Sequence, residues 1–415
     1  MTALPRKVFV LEVRPVRHCL EAFVEPRILP LAADHPRPGA NHIVVLPVSQ
    51  DLSVLDDVES IPDAAWGPAR VGRGKVVFDA SQEGSQHKKA RTAALHGFLE
   101  RIGAPLDQAV YITQDRGYAE AYDVHCRATG VTAPMKVIVF DYWVRELARQ
   151  REPDGEAEFE ARLAAFRARP RRRRWRFLSL NRALRQTKTL FLLRLMEDGL
   201  WSQGAISLGG LDWMMRKSGR TPRQMEDRLF DRTDFEDLNT RLRPLLPRLT
   251  EMGPITFSSG RGDPKFGAAL EEPLEEFGQT WFSVVTESEM RSWPSRITEK
   301  PLKPLFNFHP LIVLGNPGSL RLIRDYGFET FGGLVDEAYD EEPDPRRRFE
   351  MVYREFLRLC ALDEAEIDRL EAGLEEVLIF NARHGLIELP KLFRTRYDPA
   401  LVADILAPAA PNGNR

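Results

Sequence analysis

Cysteine is scarce in this chain, and its scarcity excludes one class of small, cross-linked proteins. The 415 residues include three cysteines, Cys19, Cys126 and Cys360, which are far apart in the sequence. An odd and dispersed set argues against a disulfide framework and against a zinc site built from cysteines. The sequence therefore predicts a fold that depends on its hydrophobic core.

Long apolar runs and an excess of charge of one sign are missing as well. No run is long enough to span a bilayer, and the N-terminus lacks the apolar core of a signal peptide. The formal net charge of -2 creates no global attraction to nucleic acid or to an anionic membrane. We expect a cytoplasmic protein without a transmembrane segment, and peripheral contact with the inner membrane face is left open.

Several sequence signatures of bound cofactors and metals are also absent. No Gly-x-Gly-x-x-Gly follows a strand pattern, and there is no Walker A sequence. No His/Cys/Asp cluster has metal-ligand spacing, and no Asp-x-Asp stands at a strand end. The sequence therefore predicts no cofactor and no metal.

What is present is an alternation of strand and helix patterns in two halves of the chain. Short runs rich in β-branched and aromatic residues alternate with amphipathic helices, which is typical of parallel sheets covered by helices. The predicted strands are 43–48, 75–79, 108–113, 135–140, 175–180, 205–208, 254–257, 280–286, 310–315 and 328–331.

The alternation predicts the α/β class, with two Rossmann-like α/β/α domains facing a cleft. Residues 1–165 would form the first domain, 166–174 a connector, 175–385 the second domain and 386–415 an extension with a tail. Most of residues 1–70 has no regular pattern, and residues 209–250 have the composition of a helical insertion. Clefts between domains are preferred ligand sites.

The most informative segment runs from Ser295 to Gly318. Thr298 can cap a helix that carries Glu299 and Lys300 at its start, while Pro304 should bend that helix. A buried strand and a turn at Asn316-Pro-Gly318 follow. A carboxylate suits ribose hydroxyls, and a cation beside free backbone N–H groups suits phosphates.

This segment resembles the donor-binding segment of the α-1,3-fucosyltransferase group and, more broadly, GT-B glycosyltransferases of bacterial surface-polysaccharide type. The resemblance covers residues 280–335 and is fainter over 175–200. It implies that Glu299 and Lys300 contact the nucleotide of a nucleotide-sugar donor and that no metal is required. The acceptor-side motifs of the fucosyltransferases are not found in residues 1–150, so the resemblance implies neither the sugar nor the acceptor.

Further donor-site candidates follow two strands of the second half. Asn181, Arg182 and Arg185 follow the strand 175–180, and two guanidinium groups suit a diphosphate. Asn316 and Gly318 lie in the turn after the strand 310–315, where backbone N–H groups can approach a phosphate. The alternative is a pair of surface arginines and an ordinary strand-to-helix turn.

A catalytic base is expected in the first domain, at the end of the strand 75–79. Glu83 is the first choice to take the proton of an acceptor hydroxyl, and Asp79 is the second. The alternative for Asp79 is that it caps the following helix together with Ser81.

The sequence thus predicts a metal-independent glycosyltransferase that transfers a sugar from a nucleotide-sugar donor to a glycan, lipid-linked glycan or other hydroxyl acceptor. Two alternatives stay open. The first is a non-catalytic, two-lobed protein that binds a nucleotide or sugar. The second is a glycosyltransferase directed to nucleic acid, in which Arg171 to Arg174 and the 209–250 insertion bind a phosphate backbone.

Overall fold

The computed structural model divides the chain into two compact units. The first comprises Met1–Glu146 with Lys391–Arg415, and the second comprises Leu147–Pro390. The division therefore falls before the helix 155–167, which the sequence assigned to the first domain. The structure describes residues 8–12, 19, 41–48, 52–56, 63–82, 84–151, 154–257, 274–293 and 296–408.

The described part of the first unit contains a five-stranded sheet whose strands follow one another in chain order. Every neighbouring pair is parallel. The side chains of β3 and β4 are buried throughout, which explains their continuous apolar runs. The strands are β1 (Val8–Glu12), β2 (Asn41–Pro47), β3 (Gly74–Ala80), β4 (Ala109–Thr113) and β5 (Lys136–Val139).

The helices of the first unit connect these strands. α2 and α3 end at Gly103 and Gly130, where the left-handed backbone favours glycine. Short 3-10 turns lie at Ser53–Leu55, Asp63–Ala65 and Leu106–Gln108. The helices are α1 (Gly67–Arg70), α2 (Lys89–Ile102), α3 (Tyr118–Thr129) and α4 (Tyr142–Arg149), which crosses the division between the units.

A buried ion pair fixes the C-terminal helix to the first unit. The Nε of Arg145 donates to Oδ1 of Asp398 at 3.0 Å, and Nη1 of Arg145 donates to Glu146 at 3.2 Å. All three side chains are buried. Residues 386–415 were expected to be an extension, and the part from Lys391 onward belongs instead to the first unit.

The described part of the second unit contains a four-stranded parallel sheet with the order β7-β6-β8-β9. From β6 the chain turns to one side to form β7 and then crosses to the other side to form β8. The strand order therefore reverses beside β6, which is where open α/β sheets bind ligands. The strands are β6 (Phe177–Asn181), β7 (Gly204–Leu208), β8 (Phe282–Thr286) and β9 (Leu311–Leu314).

Helices make up most of the rest of the second unit, including the predicted insertion. A 3-10 turn at Trp201–Gln203 precedes β7, and others lie at Thr233–Phe235, Arg243–Leu245 and Ala338–Glu341. The helices are α5 (Gly155–Arg167), α6 (Gln186–Glu197), α7 (Leu211–Ser218), α8 (Pro222–Leu229), α9 (Glu236–Leu242), α10 (Leu246–Glu251), α11 (Leu274–Gly278), α12 (Leu302–Phe306), α13 (Ser319–Asp325), α14 (Pro345–Ala361) and α15 (Glu364–Arg383).

The chain passes from α15 to its C-terminal helix through an almost continuous helical segment. π-Helical turns lie at His384–Glu388 and Phe393–Tyr397, on either side of α16 (Leu389–Leu392), and α17 (Asp398–Leu406) completes the described chain. No helix of the described residues is both long and apolar enough to cross a membrane.

The predicted α/β class, with parallel sheets and covering helices in two units, is confirmed by these elements. Three local predictions were wrong. β1 lies in the segment expected to be irregular, and the predicted strands 254–257 and 328–331 form no strand. Ile255 makes a single bridge to Leu208, and Gly332 makes one to Val335.

The arginine run after α5 is partly structural. Arg173 is buried, donates to the carbonyl of Thr280 and to Glu371, and lies over the Trp281 ring at 4.1 Å. Arg172, by contrast, is exposed and forms a surface ion pair with Glu364 at 3.5 Å. The run therefore contributes less free positive charge than its sequence suggests.

Replacing Asp398 by Ala should lower the free energy of unfolding of the first unit by about 3 kcal/mol, because it leaves the buried Arg145 with one carboxylate fewer. Urea denaturation followed by hydrogen exchange in β3 and β4 measures this loss. The control Arg172→Ala removes an exposed pair and should cost less than about 1 kcal/mol. Equal small effects for both variants would contradict a stabilising role of the buried pair.

Candidate functional site

The carboxyl ends of β6 and β8 are joined by side-chain hydrogen bonds. Oγ1 of Thr286 donates to Oδ1 of Asn181 at 2.7 Å, and Nδ2 of Asn181 donates to Oγ of Ser179 at 2.9 Å. Asn181 is fully buried. The Asn181 amide, predicted to bind the donor, is thus engaged in holding the two strand ends together, and its role toward a ligand stays a prediction.

Thr298, Glu299 and Lys300 form a turn before α12 rather than the start of that helix. α12 begins at Leu302 and has no side-chain cap, so the prediction that Thr298 caps it was wrong. Oγ1 of Thr298 instead accepts the backbone N–H of Lys300 at 3.2 Å. Pro304 is the third helical residue, where no intrahelical N–H bond is lost, so it does not bend the helix as expected.

Glu287, which the sequence did not single out, is the acceptor around which this turn is organised. It follows β8 directly, and its Oε1 accepts Oγ1 of Thr298 at 2.7 Å. Nζ of Lys300 lies 3.6 Å from Oε2 of Glu287 and 3.3 Å from Oε1 of Glu299. Both carboxylates are buried.

The ion pairs keep this buried turn charged. Burial acts to raise the pKa of Glu299, but the ammonium groups of Lys300 and Lys303 outweigh it and hold that pKa below its usual value. Burial likewise acts to lower the pKa of Lys300, and Glu299 and Glu287 outweigh it, so this pKa is raised. The turn therefore presents the charged ammonium group of Lys300 beside the charged carboxylate of Glu299.

Lys188 is the second residue that sequence reasoning missed. It is the third residue of α6 and its side chain is 3% exposed, yet no hydrogen bond or ion pair of its ammonium group is found in the described structure. Burial, with Lys300 adding to it and Glu287 opposing it, lowers the pKa of Lys188 to about 7. A lysine in the first turn of a helix whose centre is mostly apolar was the available signal, because cations are disfavoured there unless an anion is present.

The start of α6 is held in place by the helical insertion. Nε2 of Gln186 donates to Oδ1 of Asn239 at 2.8 Å, and the backbone N–H of Arg232 donates to Oε1 of Gln186 at 3.2 Å. Gln186 and Asn239 are buried. The insertion, unexplained by the sequence, therefore fixes the helix start that carries Lys188.

Arg182 and Arg185 lie in the short connection between β6 and α6. Arg182 is exposed, and its carbonyl oxygen lies so close to Gly209 that a Cβ there would come within 1.7 Å, which requires glycine at that position. Arg185 is half-buried, and its extended backbone precedes the first helical residue. Both residues lie in the chain segment that leads from β6 to Lys188. Their contact with a diphosphate stays a prediction.

Asn316 and Gly318 serve the fold at the end of β9. Oδ1 of Asn316 accepts the N–H of Arg291 at 2.7 Å, and Gly318 has a positive φ of 74°. The start of α13 is already capped, because the carboxylate of Asp340 accepts the N–H groups of Leu320 and Arg321 at 2.9 and 3.2 Å. Those N–H groups are engaged internally, so a phosphate contact at this turn stays a prediction.

Of the two residues predicted as the catalytic base, the structure describes Asp79. Glu83 lies outside the described residues. Asp79 is buried, with Oδ2 accepting the N–H of Cys19 at 2.7 Å and Oδ1 accepting the N–H of Ser81 at 2.8 Å. It does not cap α2, which begins at Lys89 after an uncapped Lys88, so the alternative that Asp79 and Ser81 cap this helix was wrong.

Comparisons with known proteins give little beyond this geometry. No protein-family model matches the chain, and no curated protein matches it. Among solved structures, the N-terminal domain of Candida albicans trehalose-6-phosphate phosphatase matches with 13% identity and a TM-score of 0.40, over 89% of this chain and 70% of that one. A UDP-forming α,α-trehalose-phosphate synthase from Burkholderia vietnamiensis matches with 11% identity and a TM-score of 0.39, over 89% and 76%. The resemblance to fucosyltransferases is not tested by these matches.

The stability of the protein should depend on the proton of Lys188. Native Lys188 releases this proton near pH 7, whereas the unfolded chain keeps it up to its ordinary pKa of 10.5. Between these values the unfolded state binds more protons, so the free energy of unfolding should rise with pH, by up to about 1.4 kcal/mol per pH unit. Denaturant titrations from pH 6.5 to 9.5 measure this slope, and subtracting the slope of Lys188→Met isolates it. Identical slopes would show that the buried group stays charged.

Proposed function

We propose that this protein is a glycosyltransferase that binds a nucleotide-sugar donor at the carboxyl edge of the β6–β9 sheet. The observation that carries the proposal is Lys188, a buried lysine at the start of a helix whose amino group has no hydrogen-bonding partner among the described residues. The position beside β6, where the strand order reverses, and the resemblance of residues 280–335 to donor-binding segments support the same assignment.

The charges at this edge favour an anionic ligand. Three ammonium groups, those of Lys188, Lys300 and Lys303, influence one another together with the carboxylates of Glu287 and Glu299. When all five groups are ionised, one positive charge is left over, and a helix start adds a partial positive charge to it. A diphosphate supplies the missing negative charge and the oxygen acceptors for Lys188.

In this proposal the residues have distinct roles in the reaction. Lys188 and Lys300, with Arg182 and Arg185, stabilise the negative charge that develops on the departing nucleoside diphosphate, so no metal is needed for that step. Glu299 accepts hydrogen bonds from ribose hydroxyls. The acceptor, a glycan or another molecule with a free hydroxyl group, is assigned to the first unit.

The base that takes the acceptor proton is assigned to Glu83 in preference to Asp79. Both oxygens of Asp79 already accept backbone N–H groups, so this carboxylate is engaged in the fold of the first unit. Glu83 follows the same strand in the sequence. An inverting displacement needs one such base.

Nucleoside diphosphates should raise the thermal midpoint of the protein, because they bind only the folded state. The panel contains UDP, GDP, ADP and CMP with common sugar conjugates, each with magnesium and with EDTA. A shift with one diphosphate that persists in EDTA supports the proposal, and turnover of its sugar conjugate distinguishes a transferase from a non-catalytic binding protein. No shift with any compound contradicts the proposed donor site.

Thermal-shift titrations with diphosphates should distinguish the effect of removing Lys188 from that of removing an exposed lysine at another helix start. Lys188→Ala and Lys300→Ala should each weaken diphosphate binding by about 10- to 100-fold, the usual loss for a charge-assisted hydrogen bond. Lys89→Ala is the matched control, because Lys89 is exposed at the start of α2. Normal binding by both site variants would show that the anion lies elsewhere.

Glu83→Gln and Asp79→Asn should separate catalysis from folding. We expect Glu83→Gln to lower kcat by about 100- to 10,000-fold at unchanged donor affinity, because it removes a general base. Asp79→Asn should mainly lower the thermal midpoint, since the charged acceptor of two buried N–H groups is lost. Steady-state kinetics and thermal unfolding of both variants test this. A full loss of kcat in a stable Asp79→Asn protein would reverse the assignment.

A further inference from the structure

Trp293 is an exposed aromatic residue close in sequence to the candidate donor site. Its side chain is 44% exposed, and no hydrogen bond or ring contact of it is found in the described structure. Other tryptophans have partners: Trp66 packs against Phe98, Trp143 donates to the carbonyl of Gln82, and Trp281 lies under Arg173. Packing within the described structure therefore does not engage this indole, which is free to contact a ligand.

The described residues 288–293 and 296–297, called here the 288–297 loop, lie in the chain between Glu287 and Thr298. Glu287 and Thr298 flank it and are joined by the 2.7 Å hydrogen bond between their side chains. Trp293 lies six residues from Glu287 and five from Thr298, so its backbone is within about 20 Å of both even for a fully extended chain. The length of the chain alone therefore keeps the backbone of Trp293 within this distance of the charged turn.

The described backbone before Trp293 is fixed by contacts from three directions. Arg232 of the insertion donates to the carbonyl of Met290, and Arg348 of α14 donates to the carbonyl of Arg291. Asn316 accepts the N–H of Arg291. An exposed aromatic side chain on a backbone held in this way loses little conformational entropy when a flat ligand binds to it.

Two further ion pairs stabilise the described parts of the loop. Glu289 pairs with Arg291 at 2.8 Å and with Arg296 at 3.9 Å, across the tip that carries Trp293. These pairs engage the carboxylate of Glu289 with both guanidinium groups. The indole is the apolar group that the described part of the tip presents to solvent, and a planar, largely apolar ligand surface matches it.

We propose that Trp293 is the platform on which the base of the donor nucleotide stacks while Lys188 and Lys300 hold its phosphates. This inference rests on the proposed donor site and adds the recognition of the base to it. Stacking on an indole accepts any base, because every base has a π face. Trp293 therefore contributes affinity for nucleotides over inorganic phosphates rather than a choice among the bases.

Calorimetric titration with inorganic pyrophosphate and with UDP, GDP and ADP tests the platform. The variants are Trp293→Ala, Trp293→Phe and, as a control, Phe380→Ala, which removes another exposed aromatic side chain of the second unit. We expect Trp293→Ala to weaken the nucleoside diphosphates that the protein binds by about 5- to 100-fold. Pyrophosphate affinity should be unchanged, Trp293→Phe should retain most of the nucleotide affinity, and Phe380→Ala should behave as the wild type.

The outcomes distinguish this inference from the proposed function. Wild-type protein that binds neither pyrophosphate nor any nucleotide contradicts the donor site itself, and the platform with it. Normal nucleotide binding by Trp293→Ala overturns the platform alone and leaves Trp293 for contact with another molecule. An equal loss for pyrophosphate and nucleotides also overturns it, because the residue would then only support the loop.

Discussion

The second unit depends on charged side chains that are buried next to one another at the carboxyl ends of β6 and β8. Glu287 accepts Thr298 and lies beside Lys300, and these contacts close the loop between β8 and α12. Burying ions is costly unless each has partners, and Glu287, Glu299 and Lys300 provide partners for one another. Lys188 belongs to the same cluster, but no partner of its amino group is found among the described residues, so the free-energy cost of burying it is not offset there.

Two helix starts in the second unit differ in how their backbone N–H groups and partial positive charge are satisfied. The start of α13 receives the carboxylate of Asp340, which is the usual way to satisfy backbone N–H groups and the partial positive charge of a helix. The start of α6 has no side-chain cap and carries a lysine instead. If stability alone decided both positions, an acidic or hydroxyl side chain would be expected in each. The start of α2 is also uncapped and also carries a lysine, so the feature that distinguishes α6 is that Lys188 is buried whereas Lys89 is exposed.

The sequence was sufficient for the architecture and for one part of the site. Alternating apolar runs identified most strands, because parallel strands buried on both faces have few polar residues. The Thr298-Glu299-Lys300 segment was found from its unusual composition before a strand. The start of α12 was misplaced by three residues, from Glu299 to Leu302, because the hydroxyl of Thr298 can bond a neighbouring N–H in a turn as well as in a helix cap.

Glu287 and Lys188 could not be found in the same way. Each lies next to an apolar run and belongs to no short motif, and their importance comes from proximity across β6 and β8, which are 101 residues apart at Asn181 and Phe282. The alternative that Asp79 caps α2 was wrong for a related reason. Its partner Cys19 is 60 residues away, in a segment whose sequence has no regular pattern.

The chain that follows α12 is held by contacts with α5. Phe308 follows α12 with a positive φ of 53°, a conformation that costs a bulky residue about 1–3 kcal/mol. Its ring stacks on Phe166 at 4.8 Å, and Arg162 of the same helix, α5, donates to Oδ1 of Asn307 at 2.6 Å. α5 supplies both contacts, so the backbone that follows α12 is held by a neighbouring helix. α12 is five residues long and begins two residues after Lys300, so this support lies one short helix away from the charged turn.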